Sequence, residues 1–183
     1  ANMLLENGVQ KGDKIAILME NCIEWLIIFF GILKIGAVSV SINCNYAINE
    51  LKHCLELSDS TILFFSQGYK DKISSIKEQG TILNKYICVG HNVPNYSLDY
   101  KSIENNYSTR FRNYDLVDTD FAAIYFSSGT TGLPKAVLHT HKALLFAAQT
   151  EQEHHLQTSE DAFLCIPPLF HMGAKVHWLG SLI

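Results

Sequence analysis

Strand-like and helix-like segments take turns along this chain, and that alternation constrains its fold more than any other feature. Asn2 to Asn7 reads as a helix closed by Gly8, a residue suited to the left-handed turn after a last helical turn. Gly12-Asp13 then turn the chain into a short apolar strand, Lys14 to Met19. Asn21 is the predicted N-cap of a helix running to about Lys34 and ended by Gly36. Ala37 to Ile42 predicts the next strand, and Glu50 to Leu57 has apolar residues at helical spacing. Thr61 to Phe65 is a continuous β-prone run of the kind buried on both faces. A helix over Tyr69 to Glu78 and a strand over Tyr86 to Val89, ended by Gly90, continue the order.

From His91 to Asp118 the chain turns polar, which predicts an irregular connection with a short helix around Leu98 to Glu104. Phe121 to Phe126 is a strong strand, followed by a Gly/Ser/Thr loop and the short strand Ala136 to Leu138. Thr140 is placed to cap a helix from His141 to about Leu156, and Asp161 to Ile166 is expected as a last strand, broken by Pro167-Pro168. Repeated strand–helix order predicts an α/β fold: a mostly parallel sheet with helices on both faces, joined by right-handed crossovers.

Of 183 residues, 48% are hydrophobic and 17% charged, a balance that excludes a disordered chain. Fourteen Lys+Arg against eighteen Asp+Glu leave a net charge of −4 and no basic stripe to grip nucleic acid. The five cysteines form no C-x-x-C pair, so reduced thiols in a cytoplasmic protein are expected. The start lacks the basic lead of a signal peptide. Ile23 to Ile42 is long and apolar enough to suggest a bilayer span, but Lys34 lies within it between Gly31 and Gly36. A lysine at the centre of a span costs about 2.5–3.5 kcal/mol. A buried helix followed by a strand explains the stretch better, so no integral membrane segment is expected. The chain stops within the apolar run Trp178 to Ile183, and since termini usually face solvent, a piece of a longer protein is expected.

The segment Ser127-Ser128-Gly129-Thr130-Thr131-Gly132-Leu133-Pro134-Lys135 demands a functional explanation. Glycines let backbone N–H groups turn toward an anion with no Cβ in the way. Hydroxyls donate to phosphate oxygens, and Lys135 supplies a positive point charge. A loop at the end of a strand in a parallel sheet lies where such sheets bind ligands. A polyphosphate, most economically the β- and γ-phosphates of ATP, is the predicted occupant. The P-loop pattern, G-x-x-x-x-G-K followed by Ser or Thr, is absent, because Leu133-Pro134 separate Gly132 from Lys135 and Ala136 follows the lysine.

Tyr125 to Val137 resembles the phosphate-binding signature of the adenylate-forming (AMP-binding) enzymes, which include acyl-CoA synthetases, luciferases and peptide-synthetase adenylation domains. That signature reads roughly Y-T-S-G-T-T-G-x-P-K-G-V, matched here from Ser128 through Lys135, with Ala136 where glycine is usual. Gly8-Val9, Gly12-Asp13, Asn21, Glu24-Trp25, Gly36-Ala37-Val38, Asn43, Tyr46 and Glu50-Leu51 resemble the family's earlier segments, although Ser41-Ile42 replace its usual proline. Pro168 to Gly173 resembles the segment where acyl-CoA synthetases carry an aromatic–His pair beside the acyl pocket.

The resemblance implies that residues 1–183 are the first part of the large N-terminal AMP-binding domain of an acid–thiol ligase. ATP, Mg²⁺ and coenzyme A are the implied cofactors and co-substrates. Ser127, Ser128, Gly129, Thr130, Thr131, Gly132 and Lys135 would hold the phosphates, and His171, Met172 and Gly173 the acid. Amino-acid-activating members typically place an aspartate near the latter segment. Nothing acidic lies between Ala162 and Ile183, which favours a fatty or aromatic acid passed to coenzyme A. No catalytic residue is assigned in this stretch: the family's glutamate motif, ribose-binding aspartate, hinge and C-terminal lysine would lie beyond Ile183, and the piece alone is expected to be inactive. An amino-acid-activating domain and a nucleotide-binding regulatory module without ligase activity stand as the alternatives. No metal ligands are assigned, since His139-x-His141 and His154-His155 are read as lacking a Cys or Glu at zinc spacing.

Overall fold

The computed structural model describes residues 1–104, 106–110, 114–128, 132–158 and 160–183. Fourteen segments of regular structure are used below: α1 (Asn2–Glu6), β1 (Lys14–Leu18), α2 (Ile23–Lys34), β2 (Val38–Ser41), α3 (Ile48–Leu57), β3 (Ile62–Ser66), α4 (Lys70–Glu78), β4 (Lys85–Val89), β5 (Leu98–Asp99), α5 (Tyr100–Glu104), β6 (Phe121–Ser127), β7 (Lys135–Thr140), α6 (His141–His155) and α7 (Met172–Gly180). They build one sheet in the order β5-β4-β3-β1-β2-β6-β7. Every neighbouring pair is parallel except β6 and β7, which form an antiparallel hairpin at one edge.

Side chains alternate across a strand, so the two faces of the sheet make two cores. On one face Ile15, Ile17, Phe64, Ile87 and Tyr125 pack under α1, α2, α5, α6 and α7. On the other Ala16, Leu18, Val40, Leu63, Phe65 and Ile124 pack under α3 and α4. β1 lies at the centre, with Ile15 to Leu18 fully buried, as a parallel strand covered on both faces must be. In α2 the buried residues Trp25, Ile28, Phe29 and Ile32 recur at helical spacing. Trp25 stacks on Phe29 at 5.1 Å between ring centroids, and Trp178 of α7 meets both rings edge-on. Gly36 ends this unit at φ +73°, and a Cβ there would lie 2.7 Å from Leu116 Cδ2.

The stretch Ile23 to Ile42 is thus helix then strand, and among the described residues no helix is long and apolar enough to cross a membrane. All five cysteines are free; Cys44, Cys54 and Cys88 are buried, Cys22 and Cys165 half-buried. Burial pushes the Cys44 thiol up to about 11 and the Cys54 thiol up to about 12.

Two expectations are corrected. Asn21 does not cap α2; Cys22 holds the N-cap position with no side-chain bond. Its carboxamide instead reaches across the sequence, donating to Pro167 O at 3.0 Å and Cys165 O at 3.5 Å while accepting from Leu169 N at 2.7 Å. Asp161 to Ile166 is not a strand. A turn between Thr158 and Asp161 and the Asn21 carboxamide on Cys165 O tie this run at its two ends, and Leu164 and Ile166 are exposed rather than paired. The apolar run near the end of the chain forms α7, with Ala174, Trp178 and Leu179 buried. Thr140 does cap α6, accepting from Ala143 N at 3.2 Å.

One charge lies inside this packing. Lys175 of α7 is only 4% exposed, with Nζ 4.8 Å from the centroid of the Tyr125 ring and 3.2 Å from the ring nitrogens of His139. Among the described residues no carboxylate pairs with it. Burial pulls the amine down to about 8, while burial and then the nearby Lys175 pull His139 down to about 4. The cation–π contact offsets part of the cost of burying the amine.

Two outcomes are expected. Asn21→Ala removes the bonds that hold the Cys165–Leu169 segment and should destabilise the chain by about 1–3 kcal/mol, read by urea unfolding, with loss of hydrogen-exchange protection at the Leu169 amide. Between pH about 8 and the unfolded value of 10.5, the unfolded chain holds the Lys175 proton and the folded chain does not, so stability should rise with pH. Lys175→Met should abolish that rise and lift the melting temperature at pH 7 by at least roughly 2–4 °C, the shift that about 1 kcal/mol gives at this size.

Candidate active site: a hydroxyl-lined turn at the carboxyl ends of the strands

Parallel pairing of β2 with β6 sets Ser41 opposite Tyr125, so both strands end at the same rim of the sheet. Beyond β2 the chain leaves through α3 for β3, on the far side of β1; beyond β6 it folds back outward into β7. The two loops part from one another, and such divergence at the carboxyl ends of parallel strands opens a crevice.

Each wall of the crevice has a local cause. After β2, Asn43 Oδ1 accepts from Asn45 N at 2.9 Å, forming an Asx turn. Lys72 of α4 donates to Tyr46 O at 2.7 Å and Cys44 O at 3.2 Å, holding the same turn from below. Glu50 lies in the first turn of α3, where its carboxylate accepts from Ala47 N at 2.8 Å. After β6, Ser127 faces Lys135 across the hairpin and Phe126 faces Ala136. Gly132 takes φ +94°, and the carbonyl of the buried Pro134 accepts from His53 Nε2 of α3 at 3.1 Å. The third wall comes from the stretch held by Asn21, which continues into His171 at the N-cap of α7.

A cavity of about 410 Å³ lies among these walls. Ser127, Ser128, Gly132, His171 and Met172 line it, five of the seven described residues that the sequence singled out for the site. Asn43, Tyr46, Glu50, Phe126 and Pro134 complete the lining. Lys135 is exposed on β7 and Gly173 is exposed on α7; neither lines the cavity. Gly129, Thr130 and Thr131 lie outside the described residues. Phe126, Pro134 and the bracing His53 were not singled out by sequence reasoning; only their adjacency to the loop or its supporting helix could have marked them.

The cavity presents several hydrogen-bond donors. Two serine hydroxyls stand on one side, and the one carboxylate among the described lining residues, Glu50, is already engaged by a backbone N–H. His171 Nδ1 accepts from Gly173 N at 3.1 Å, which places the proton of the neutral ring on Nε2 and makes that nitrogen a donor. A neighbouring groove of about 270 Å³, lined by Glu20, Asn21, Cys44, Tyr69 and Phe170, extends along the same rim. Burial there acts to raise the Glu20 carboxyl, but hydrogen bonds from Ser66 and Tyr69 outweigh it and leave its pKa lowered.

Comparison with known proteins meets the same arrangement. The family of AMP-binding enzymes matches residues 1–183. The chain is 35% identical over 179 residues to 4-coumarate–CoA ligase 3 from Arabidopsis thaliana, covering 94% of this chain and 31% of that protein. Among solved structures, a long-chain-fatty-acid–CoA ligase (FadD1) from Archaeoglobus fulgidus superposes with a TM-score of 0.88 at 25% identity, over 99% of this chain and 35% of that one. The anthranilate CoA ligase AuaEII, solved with anthranoyl-AMP, superposes with a TM-score of 0.77 at 29% identity, over 81% of this chain and 29% of that one. The chain spans about a third of the length of the curated relatives it matches. Matched from end to end and folded as the CoA ligases are, this chain belongs to the family of AMP-binding enzymes.

Proposed function

We propose that this chain is the nucleotide- and acid-binding portion of an AMP-forming acyl-CoA ligase acting on a fatty or aromatic carboxylic acid. The observation that carries the reading is the shared cavity: Ser127, Ser128, Gly132 and His171 open onto one space at the carboxyl ends of β2 and β6. In this reading the acid's carboxylate attacks the α-phosphorus of ATP, the bond to the bridging oxygen breaks, and pyrophosphate leaves. A thiol then takes the acyl group and AMP departs.

The chain's own residues contribute position and charge neutralisation rather than covalent chemistry. Ser127, Ser128 and the backbone around Gly132 donate to the phosphate oxygens, with Gly129, Thr130 and Thr131 assigned to the same task by their place in the turn. Lys135, exposed on the strand opposite Ser127, reaches over the rim as a mobile cation, a role its long stem permits. Mg²⁺ bound with the nucleotide would supply charge neutralisation at the phosphates, and Glu50 is the one carboxylate that the described lining residues offer beside it. His171, with Met172 and Gly173, borders the acid, its Nε2–H turned to donor use by the Gly173 amide. The absence of acidic residues from Ala162 to Ile183 favours an acid without an ammonium group; the coumarate, anthranilate and long-chain-acid relatives are named for that class, whereas the crotonobetaine/carnitine relatives are named for acids that carry a quaternary ammonium.

In the complete ligase, pyrophosphate exchange into ATP should depend on an aromatic or fatty acid. Lys135→Ala should weaken ATP binding about tenfold or more, the worth of one charge-assisted hydrogen bond. Exchange that no carboxylic acid stimulates, with ATP still bound, would establish a regulatory nucleotide module instead. For residues 1–183 alone the expected result is no acyl-adenylate, and its appearance by mass spectrometry would refute the assignment of the remaining machinery to another part of the protein.

A further inference from the structure

The antiparallel helices α6 and α7 pass unusually close to one another. At Gly180 an added Cβ would lie 3.0 Å from the Ala148 carbonyl and 3.4 Å from Glu151 Cβ, so the crossing requires glycine. The close crossing brings His177 of α7 over the last turns of α6, where Glu151 and His155 share a face four residues apart. Glu151 Oε1 is shielded from water, and both imidazoles turn a nitrogen to it: His155 Nε2 at 3.0 Å and His177 Nδ1 closer still. The three ligand atoms lie within 4.8 Å of one another. The sequence reading overlooked this set because it looked beside His154-His155 for a partner, whereas one helical turn earlier supplies Glu151 and a different helix supplies His177.

We infer that Glu151, His155 and His177 form a transition-metal site, best suited to zinc, that clamps α7 to α6. Two imidazoles and one carboxylate are ligands zinc takes readily, and a tetrahedral ion with bonds of about 2.0–2.2 Å needs ligand atoms about 3.3–3.6 Å apart. Side-chain rotation suffices to reach that spacing from the present arrangement. The ring of His177 is backed by Phe163, stacked at 6.4 Å and 19°, which restricts the direction its nitrogen faces. His155 also lines a cavity of about 260 Å³ bounded by Asp161 and Phe163, which gives an ion from solvent a way to reach it. The site is distinct from the hydroxyl-lined cavity, and its case does not depend on the ligase reading. Its mechanical effect does reach that cavity, since the same helix starts at His171.

The test uses the purified 183-residue chain, stripped of metal with a chelator and titrated with zinc against a chromophoric competitor. Wild type should bind one zinc per chain, gain thermal stability on binding, and give the visible absorption of four-coordinate cobalt when Co²⁺ is substituted. Glu151→Gln and His155→Ala should each weaken zinc binding at least about tenfold and abolish the thermal gain. His154→Ala, on the neighbouring exposed residue, should change nothing. His155 is 60% exposed, so its removal spares the packing; His177→Ala adds a third readout if circular dichroism shows it folded. Zinc affinity equal in wild type, Glu151→Gln and His155→Ala, or no binding at about 100 µM zinc, would overturn the site and leave a metal-free carboxylate between two imidazoles.

Discussion

The parallel ladder between β2 and β6 is the interaction on which the rest depends. It brings together strands far apart in sequence, so that Ser39, Val40 and Ser41 meet Ala123, Ile124 and Tyr125. Without that pairing the turn after β2 and the turn after β6 would share no rim, and the serines would face open solvent. The ladder is held by burial on both faces rather than by its own hydrogen bonds alone: Val40 and Ile124 enter one core, Ala123 and Tyr125 the other. A site made this way inherits the rigidity of the sheet while keeping its donors on short loops, the division of labour that anion recognition favours.

The sheet was legible in the sequence because its signals were local. Continuous apolar runs such as Thr61 to Phe65 predicted strands buried on both faces, and Gly36 and Thr140 marked where helices stop and start. The same local logic misread Asn21. An asparagine ahead of an apolar helix is a sound N-cap by composition, yet a carboxamide has both donors and an acceptor to satisfy, and here the Cys165–Leu169 backbone outcompetes the helix. Asp161 to Ile166 failed for a related reason: β-propensity makes a strand only where the backbone can reach a partner, and here a turn between Thr158 and Asp161 and the Asn21 carboxamide on Cys165 O tie the run at its two ends. For the site, the hydroxyls, the glycines and His171 showed in the sequence, but the bracing of the turn did not. Phe126, Pro134 and His53 acquire their roles from the return of the hairpin against α3.

The electrostatic design is uneven along β7. On the rim, charge is available and mobile, with Lys135 in solvent. Beneath it, Lys175 is enclosed between an aromatic ring and a neutral imidazole, with no carboxylate beside it among the described residues. A buried amine held down to about 8 is a poor fixed charge and a cost to folding, so its presence marks a place where the packing of α7 is not optimised for stability.

The hairpin that shapes the turn also leaves β7 as the outermost strand of the sheet. An outermost strand offers a row of backbone donors and acceptors to any extended polypeptide of matching length. Leu138 is 45% exposed on it, which adds an apolar foothold. Lys135 at its start and the helix immediately after Thr140 limit the register and length of what could add there. The margin open to a further strand on this side of the sheet is therefore six residues long and closes where the helix begins.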